Sequence, residues 1–423
     1  MRYRLCWVVV LAVAVSGCAG RRVRLDDQLR AFEDAARRVS RDLVVEFENR
    51  NSSRIPGVDK VMSLTARLSE DRDPNTFVID PFVDGDSGNI VSASNAISRI
   101  VTQELVNSRH SYHVLPLSFS NIEASRYVVT GTIRYEAYLG TDTKRYRLYG
   151  SIVDVTNGVV QGSASSWVAD RRIDDAPTNF YKNSPMYLKD RSVDYQIDAA
   201  VDPSTVSGTK AYVDTLNASA ITSEGANALD RGDYRGAAKL FDASLNTSNG
   251  HTMKNFSGLY QAYYSLGDTA AAERAFYQLF ALGVEDNNVK IKFLFAVNKT
   301  DFIGNQSARD QYGLWLHEIA QYLDSSHVCM DITGHASHTF TADYNRKLSL
   351  ARAQRIEGIL LQQAPNLASR LSARGVGFDE NIIGSGTDDD QDAVDRRVEF
   401  RPISCGFATL LQDSDGPLSE NVD

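Results

Sequence analysis

The stretch Gly334-His335-Ala336-Ser337-His338-Thr339-Phe340-Thr341-Ala342-Asp343-Tyr344-Asn345-Arg346-Lys347-Leu348-Ser349-Leu350-Ala351-Arg352-Ala353 decides how the C-terminal part of this chain is read. It joins two periodicities. Before it, Val328, Met330 and Ile332 alternate with Cys329, Asp331 and Thr333, the period of a strand whose two faces differ. After it, Leu348, Ala351, Ile356 and Ile359 recur at helical spacing from about Asp343 to Gln362. A strand therefore ends at Gly334, a loop follows, and a helix begins near Asp343. Asn345, Ser349 and Arg352 stand at i, i+4 and i+7, so one helix face presents all three. Outward from this point, Ile291, Phe293, Phe295 and Val297 alternate along an earlier strand, Val289 to Val297. Trp315, Ile319, Tyr322 and Leu323 mark a helix near Ser307 to Leu323, and a last strand centres on Arg397-Val398-Glu399-Phe400. Residues 288–406 thus read as strand, helix, strand, helix, strands.

This region resembles the OmpA-like C-terminal domain family. The family carries Gly-His-Thr-Asp, then Tyr-Asn-x-x-Leu-Ser-x-x-Arg-Ala, and ends on Asn/Asp-Arg-Arg-Val-Glu. Here the matching residues are Gly334-His335, Tyr344-Asn345, Leu348-Ser349, Arg352-Ala353 and Asp395-Arg396-Arg397-Val398-Glu399, without a gap from Gly334 to Ala353. The resemblance implies a βαβαβ sandwich that binds the peptide stem of peptidoglycan at the zwitterionic end of diaminopimelate. It assigns the cation to Arg352, whose planar fork suits a carboxylate. Asn345 and Ser349 then flank Arg352, and Arg397 closes the site from the last strand. The chain departs from the family at the anion: Ser337 stands where the family has Asp, Ala336 replaces its Thr, and Phe340 replaces a loop Gly. Ser337 hydrogen-bonds an ammonium without neutralising it, and losing one partner of a buried charged pair costs roughly 2–5 kcal/mol. Asp343, at the helix start, reads as a cap.

The other end of the chain tells where it goes. Arg2 and Arg4 precede an apolar run, Leu5 to Val15, too short to span a membrane and of the length of a signal-peptide core. Val15-Ser16-Gly17-Cys18 follows and resembles the lipobox of bacterial lipoproteins. The resemblance implies removal of residues 1–17, acylation of Cys18 (palmitate among its chains), and, with Ala19 next, an outer-membrane destination on the periplasmic side. The net charge is −9, and loss of Arg2 and Arg4 takes it to −11, which argues against nucleic acid as a partner. Of the four cysteines, Cys6 leaves with the signal and Cys18 takes lipid. Cys329 and Cys405 fall on the same face of two strands and are expected to form a disulfide in an oxidising compartment, stabilising by roughly 4 kcal/mol in the chain-entropy model.

Between these ends the chain reads as several units, giving an α+β multidomain protein. Residues 18–50 hold an amphipathic helix from Asp26-Asp27 to Asn49, with a stripe of Leu29, Phe32, Ala36, Val39 and Leu43. Residues 51–170 read as a mixed α/β domain that resembles the lipoprotein group containing FlgO, CsgG and LpoB. The resemblance rests on Thr76-Phe-Val-Ile-Asp-Pro-Phe82, Tyr127-Val-Val-Thr-Gly-Thr-Ile133 and Val153-Asp-Val-Thr-Asn-Gly-Val-Val160, the last a hairpin turning at Thr156-Asn157-Gly158. It implies an envelope role in secretion, flagellar assembly or activation of a peptidoglycan synthase. Residues 171–215, polar and aperiodic, read as a linker that Tyr181, Tyr187 and Tyr195 pin to a neighbour. Residues 216–284 contain a self-similar pair, Gly232-Asp-Tyr-Arg-Gly-Ala237 with Phe241 and Gly267-Asp-Thr-Ala-Ala-Ala272 with Phe276, 35 positions apart. This resembles tetratricopeptide hairpins, which implies a protein-binding surface. Residues 407–423 read as a disordered tail.

The remaining motifs point to no cofactor and no metal. His335 and His338 lack further ligands of suitable spacing. His317-Glu318-Ile-Ala-Gln321 has Gln where a zinc-protease helix has its second His. Asp388, Asp389, Asp390 and Asp392 read as a solvated acidic loop. Walker, nucleophile-elbow and dinucleotide fingerprints are absent from the sequence. The expectation is a non-enzymatic, lipid-anchored envelope protein that tethers the membrane to peptidoglycan or to a wall-associated complex. The alternative is a regulator or assembly factor that binds envelope proteins without touching the wall.

Overall fold

The computed structural model describes residues 25–52, 72–108, 110, 112–202, 204, 206–296, 298–302, 304–338, 340–380 and 395–405. The signal segment, Cys18, the acidic run Asp388–Asp392 and the tail 407–423 lie outside the described residues. Among the described residues, no helix is long and apolar enough to cross a membrane.

The first sheet is built from β1 (Leu25–Arg30), β2 (Asp73–Ile79), β3 (Val83–Asp84), β4 (His113–Pro116), β5 (Ser125–Ala137), β6 (Lys144–Asp154) and β7 (Val159–Val168). Its order is β1-β7-β6-β5-β2-β4, with β3 on β5. β5, β6 and β7 form an antiparallel meander, while β2 runs parallel to β5 and to β4. The turn between β6 and β7 holds Gly158 at φ +69°, a left-handed conformation that glycine takes without steric cost. Helices α1 (Phe32–Ser52) and α2 (Ser92–Val106) cover one face, where Ala36, Val39, Leu43 and Phe47 meet Phe77, Ile97 and Ile152, and the short α3 (Phe119–Ala124) sets Ile122 on the other.

Two sequence expectations change here. The helix expected from Asp26 begins only at Phe32, because Leu25–Arg30 pairs in parallel with β7. The edge of β7 offers unpaired backbone groups that β1 satisfies, and the Phe32 amide then donates to the Asp170 carboxylate at 2.6 Å, which caps the late helix start. Leu29, placed on the expected apolar stripe, is exposed.

The expected linker, 171–215, is structured. It contains α4 (Asn179–Lys182), α5 (Arg191–Val201) and the start of α6 (Val206–Asp230). α6 crosses the expected boundary at 215–216 as one helix. Its N-terminal half covers the second face of the first sheet through Tyr212, Leu216 and Ala220, and its last turns join the next core through Ala228. The segment lacks a sequence period because its neighbours differ from residue to residue: Phe180, Tyr181, Met186, Tyr187 and Leu188 are all buried.

α6 pairs with α7 (Tyr234–Leu245), and α8 (Met253–Leu266) pairs with α9 (Thr269–Glu285). The self-similar sequence has self-similar geometry. Asp233 and Asp268 cap α7 and α9 by accepting from the Gly236 and Ala271 amides at 2.9 and 3.1 Å. Ala237, Ala272, Phe241 and Phe276 are fully buried. These helices share one core with the C-terminal domain: Phe276 stacks on Trp315 with centroids 5.9 Å apart, and the Trp315 indole donates to the Tyr260 hydroxyl at 2.7 Å.

The second sheet contains β8 (Val289–Ile291), β9 (Cys329–Gly334), β10 (Leu371–Gly375) and β11 (Val398–Ile403), in the order β10-β9-β11-β8. β10 is parallel to β9; β11 is antiparallel to β9 and β8. Helices α10 (Gln306–Ser325) and α11 (Ala342–Gln363) supply Trp315, Ile319, Ala353 and Ile356 to its core. The first strand is shorter than expected, since Phe295 bridges Phe302 and the chain turns back on itself. The open edge of β8 is covered by the 184–189 strap, with Met186 bridging Ile291. Cys329 at the start of β9 and Cys405 just beyond β11 form a disulfide.

Candidate functional site

The end of β9 and the inward face of α11 meet at two glycines. A Cβ on Gly334 would lie 2.0 Å from the Ser349 carbonyl oxygen, so only glycine lets the strand end approach the helix this closely. Gly377 then donates to the Ser349 hydroxyl at 2.9 Å, and that hydroxyl donates to the Arg346 carbonyl at 3.0 Å. Ser349 thus fastens the segment after β10 to the helix. Asn345 turns its amide toward the Thr341 carbonyl at 3.3 Å. The helix cap is Thr341, which accepts from the Tyr344 amide; Asp343, expected to cap, sits in the first turn, where its charge suits the helix dipole.

Arg352 shares this face and is 2% exposed. Its Nε and Nη2 donate to the carbonyls of Lys299 and Ala296, both at 3.2 Å, and its guanidinium lies 5.1 Å from the Phe295 ring centroid. The turn at 293–302 that shortened the first strand is therefore the cradle of this arginine. Ser337 is buried in the loop after β9.

Arg397 enters from the other side, where its carbonyl accepts from the His335 amide at 3.0 Å. Its Nε donates to Glu399 at 2.7 Å and its Nη2 to the Glu380 carbonyl at 3.1 Å, with Asp395 at 4.0 Å. Glu399 also accepts from Arg401 at 2.8 Å. Burial would raise the Glu399 carboxyl, but the charges of Arg397 and Lys290 and the hydrogen bond from Arg401 outweigh it and lower it to about 2. The same burial, aided by Arg397, lowers the His335 imidazole to about 3, so the ring is neutral. Sequence reasoning named Glu399 only as part of a motif. Its role was readable, because residues two apart on a strand face the same way and Arg397 must meet it.

Asn345, Ser349 and Arg352 therefore gather on one buried face, with Ser337 in the adjoining loop. Arg397 joins His335, Glu380 and Glu399 instead. Phe340, in place of the family glycine, is 51% exposed with its ring 5.2 Å from that of Tyr344. His335, Glu380 and Glu399 bring ligand atoms within 4.8 Å of one another. A divalent cation there would face Arg397, Arg401 and Lys290, so the trio reads as ion-paired structure. His338 turns away, its ring 4.0 Å from that of Phe378. His317 hydrogen-bonds Gln321 at 2.7 Å.

Residues 294–395 match the OmpA family. The C-terminal domain is OmpA-like. Outer membrane protein Omp38, in two strains of Acinetobacter baumannii, is 31% identical over 129 residues, which make up 30% of this chain and 34% of Omp38. The chain thus matches about a third of that relative's length. Three solved structures are also similar to the OmpA-like domain. The peptidoglycan-associated lipoprotein from Burkholderia pseudomallei is 23% identical, covering 26% of this chain and 88% of that one, with a TM-score of 0.23. The cell wall anchor of the type VI secretion system from Pseudomonas aeruginosa is 28% identical, covering 26% and 75%, with a TM-score of 0.22. The C-terminal domain of Helicobacter pylori MotB is 18% identical, covering 30% and 95%, with a TM-score of 0.22.

Proposed function

We propose that this protein is a non-catalytic, periplasm-facing lipoprotein of the outer membrane, anchored through Cys18, whose OmpA-like domain ties the membrane to peptidoglycan. The observation that carries the reading is the OmpA family match over 294–395 together with Asn345, Ser349 and Arg352 on one face of α11. The likeness to Omp38, named as an outer membrane protein, supports the location. In this reading the guanidinium of Arg352 receives the ligand carboxylate bidentately, exchanging carbonyl partners in the 296–299 turn for it. The helical hairpins of 216–284, read as tetratricopeptide-like, and the FlgO/CsgG/LpoB-like sheet domain face protein partners of the envelope. The test is retention on purified sacculi. The full chain pellets with them, and Arg352→Ala does not; equal pelleting of both would remove this site.

A second reading has its own support. Ser337 stands in place of a carboxylate, and the guanidiniums of Arg352 and Arg397 already meet acceptors of the chain itself. A domain so arranged serves as a scaffold in a regulator or assembly factor that docks on a wall-associated protein. In that case sacculi do not retain the purified chain, while crosslinking in intact envelopes still captures a protein partner.

A further inference from the structure

Phe340 and Tyr344 are the two large apolar side chains that the OmpA-like domain exposes among its described residues, and they are neighbours. Phe340 is 51% exposed and Tyr344 39%, with ring centroids 5.2 Å apart and planes tilted by 53°. Every other large apolar side chain described from Val289 to Cys405 is buried or half-buried. Phe340 lies in the loop after β9, and Tyr344 in the first turn of α11. The Thr341 hydroxyl accepts from the Tyr344 amide at 3.3 Å, which fixes the loop to the helix and one ring to the other. Phe340 stands where the family has a loop glycine, so the loop needs no side chain at this place to close.

Polar groups flank the rings. Arg346 pairs with Asp379 at 3.0 Å, and their side chains are 54% and 50% exposed. This pair ties α11 to the turn after β10. The Ala336 amide donates to the Gly377 carbonyl at 2.8 Å, so the loop after β9 and that turn run side by side. Exposed rings beside exposed donors and acceptors suit a sugar. Its C–H face lies on an aromatic ring, while its hydroxyl and acetamido groups find hydrogen-bond partners at the edge. A folded protein partner needs about 800 Å² on each side, built around an apolar centre, and two isolated rings do not supply one.

We propose that Phe340 and Tyr344 form a platform for an N-acetylated amino sugar of the wall glycan, the one that carries the stem peptide. This rests on the wall-binding reading of Arg352 and adds a sugar subsite to it. Tyr344 and Arg352 are eight residues apart on α11, about 12 Å along its axis. Diaminopimelate is the third residue of the stem, and three extended residues span about 10 Å. A stem held by its carboxylate at Arg352 therefore has the length to bring its sugar to Tyr344. Stacking there supplies affinity that Ser337, in place of the family carboxylate, does not.

The test is isothermal titration calorimetry of the full chain with two ligands: an unreduced disaccharide–tetrapeptide containing diaminopimelate, and the same tetrapeptide without sugar. The parent binds the sugar-bearing ligand at least about tenfold more tightly. Both rings are exposed, so their loss leaves the fold intact. Phe340→Gly and Tyr344→Ala remove the sugar's advantage and leave affinity for the free peptide unchanged, while Phe340→Trp preserves the advantage. Arg352→Ala weakens both ligands. Equal affinity of the parent for the two ligands, or an equal loss of both in Phe340→Gly, overturns the platform and leaves wall binding standing. A sugar advantage that needs Phe340 but ignores Arg352→Ala keeps the platform and removes the carboxylate site. Binding of neither ligand by the parent overturns both.

Discussion

The OmpA-like site and the interdomain cavity hold charge in opposite ways. At the first, the cations are met by acceptors of the chain: Arg397 by Glu399 at 2.7 Å, and Arg352 by two carbonyls at 3.2 Å. At the second, a cavity of about 740 Å³, Lys182 and Asp86 are exposed side chains of the lining. The difference teaches what each charge is for. A buried cation paired within the chain spends its interaction on holding the fold, and a ligand must displace that partner. Exposed charges at a cavity rim contribute little to folding.

The largest effect that tests this contrast is removal of the paired anion. Glu399→Gln leaves buried Arg397 with only Asp395, 4.0 Å away, as counter-charge, and the expected loss is about 3 kcal/mol in chemical denaturation. A loss below about 1 kcal/mol would mean that the pair is not structural.

A smaller effect, with a pH signature, concerns Asp80, which joins the first sheet to the helices. Its carboxylate accepts from the Tyr212 hydroxyl at 2.7 Å. Burial raises its carboxyl to about 6 despite Lys254 and Tyr212, which lower it. The folded pKa is raised, so the unfolded chain loses this proton first as pH rises. Stability contributed by Asp80 is therefore complete below about 3.8 and declines up to about 6. Asp80→Asn removes that decline, so its stability relative to the parent should rise by about 2–3 kcal/mol between pH 4 and pH 7. Urea titrations at the two pH values measure it, and a pH-independent difference would contradict the assignment. His335 and Glu399 act with the other sign. Both have lowered pKa values, so their contribution is lost toward acid, from about pH 6.5 for the histidine and about 4.5 for the carboxylate.

The smallest effect is at the cavity rim. Lys182→Gln and Asp86→Asn should each change stability by no more than about 0.5 kcal/mol, as expected for exposed charges. A loss above about 2 kcal/mol in either would show that the cavity charges, too, belong to the fold.

Local signals were the legible ones. The strand-to-helix transition around Gly334 declared itself because both periodicities are strong and the loop between them is short. The paired Gly-Asp turns at Gly232 and Gly267 were readable because each places a cap and a buried alanine at fixed offsets. What could not be read depends on partners distant in sequence. Leu25–Arg30 became a strand because the edge of β7 was open. The buried residues of segment 171–215 fall in four separate clusters, with Ile173, Phe180, Val193 and Tyr212 each in a different one, so the segment carries no period of its own. The cavity draws its walls from positions as far apart as Asp84 and Trp315, which no local pattern connects. At the OmpA-like site the residues on α11 were legible from helical spacing, whereas the acceptors of Arg352 were not, because Ala296 was expected in a strand ending at Val297 and Lys299 lies beyond it.

The central claim is that Arg352 still recognises a carboxylate of the wall and lacks only its family anion. Sacculus retention of the parent, Ser337→Asp, Arg352→Ala and the double variant tests it most directly. The account expects Ser337→Asp to strengthen retention, Arg352→Ala to abolish it, and the double variant to show no gain, since the two groups act on one ligand. Retention that ignores Arg352→Ala and is unmoved by Ser337→Asp would contradict it.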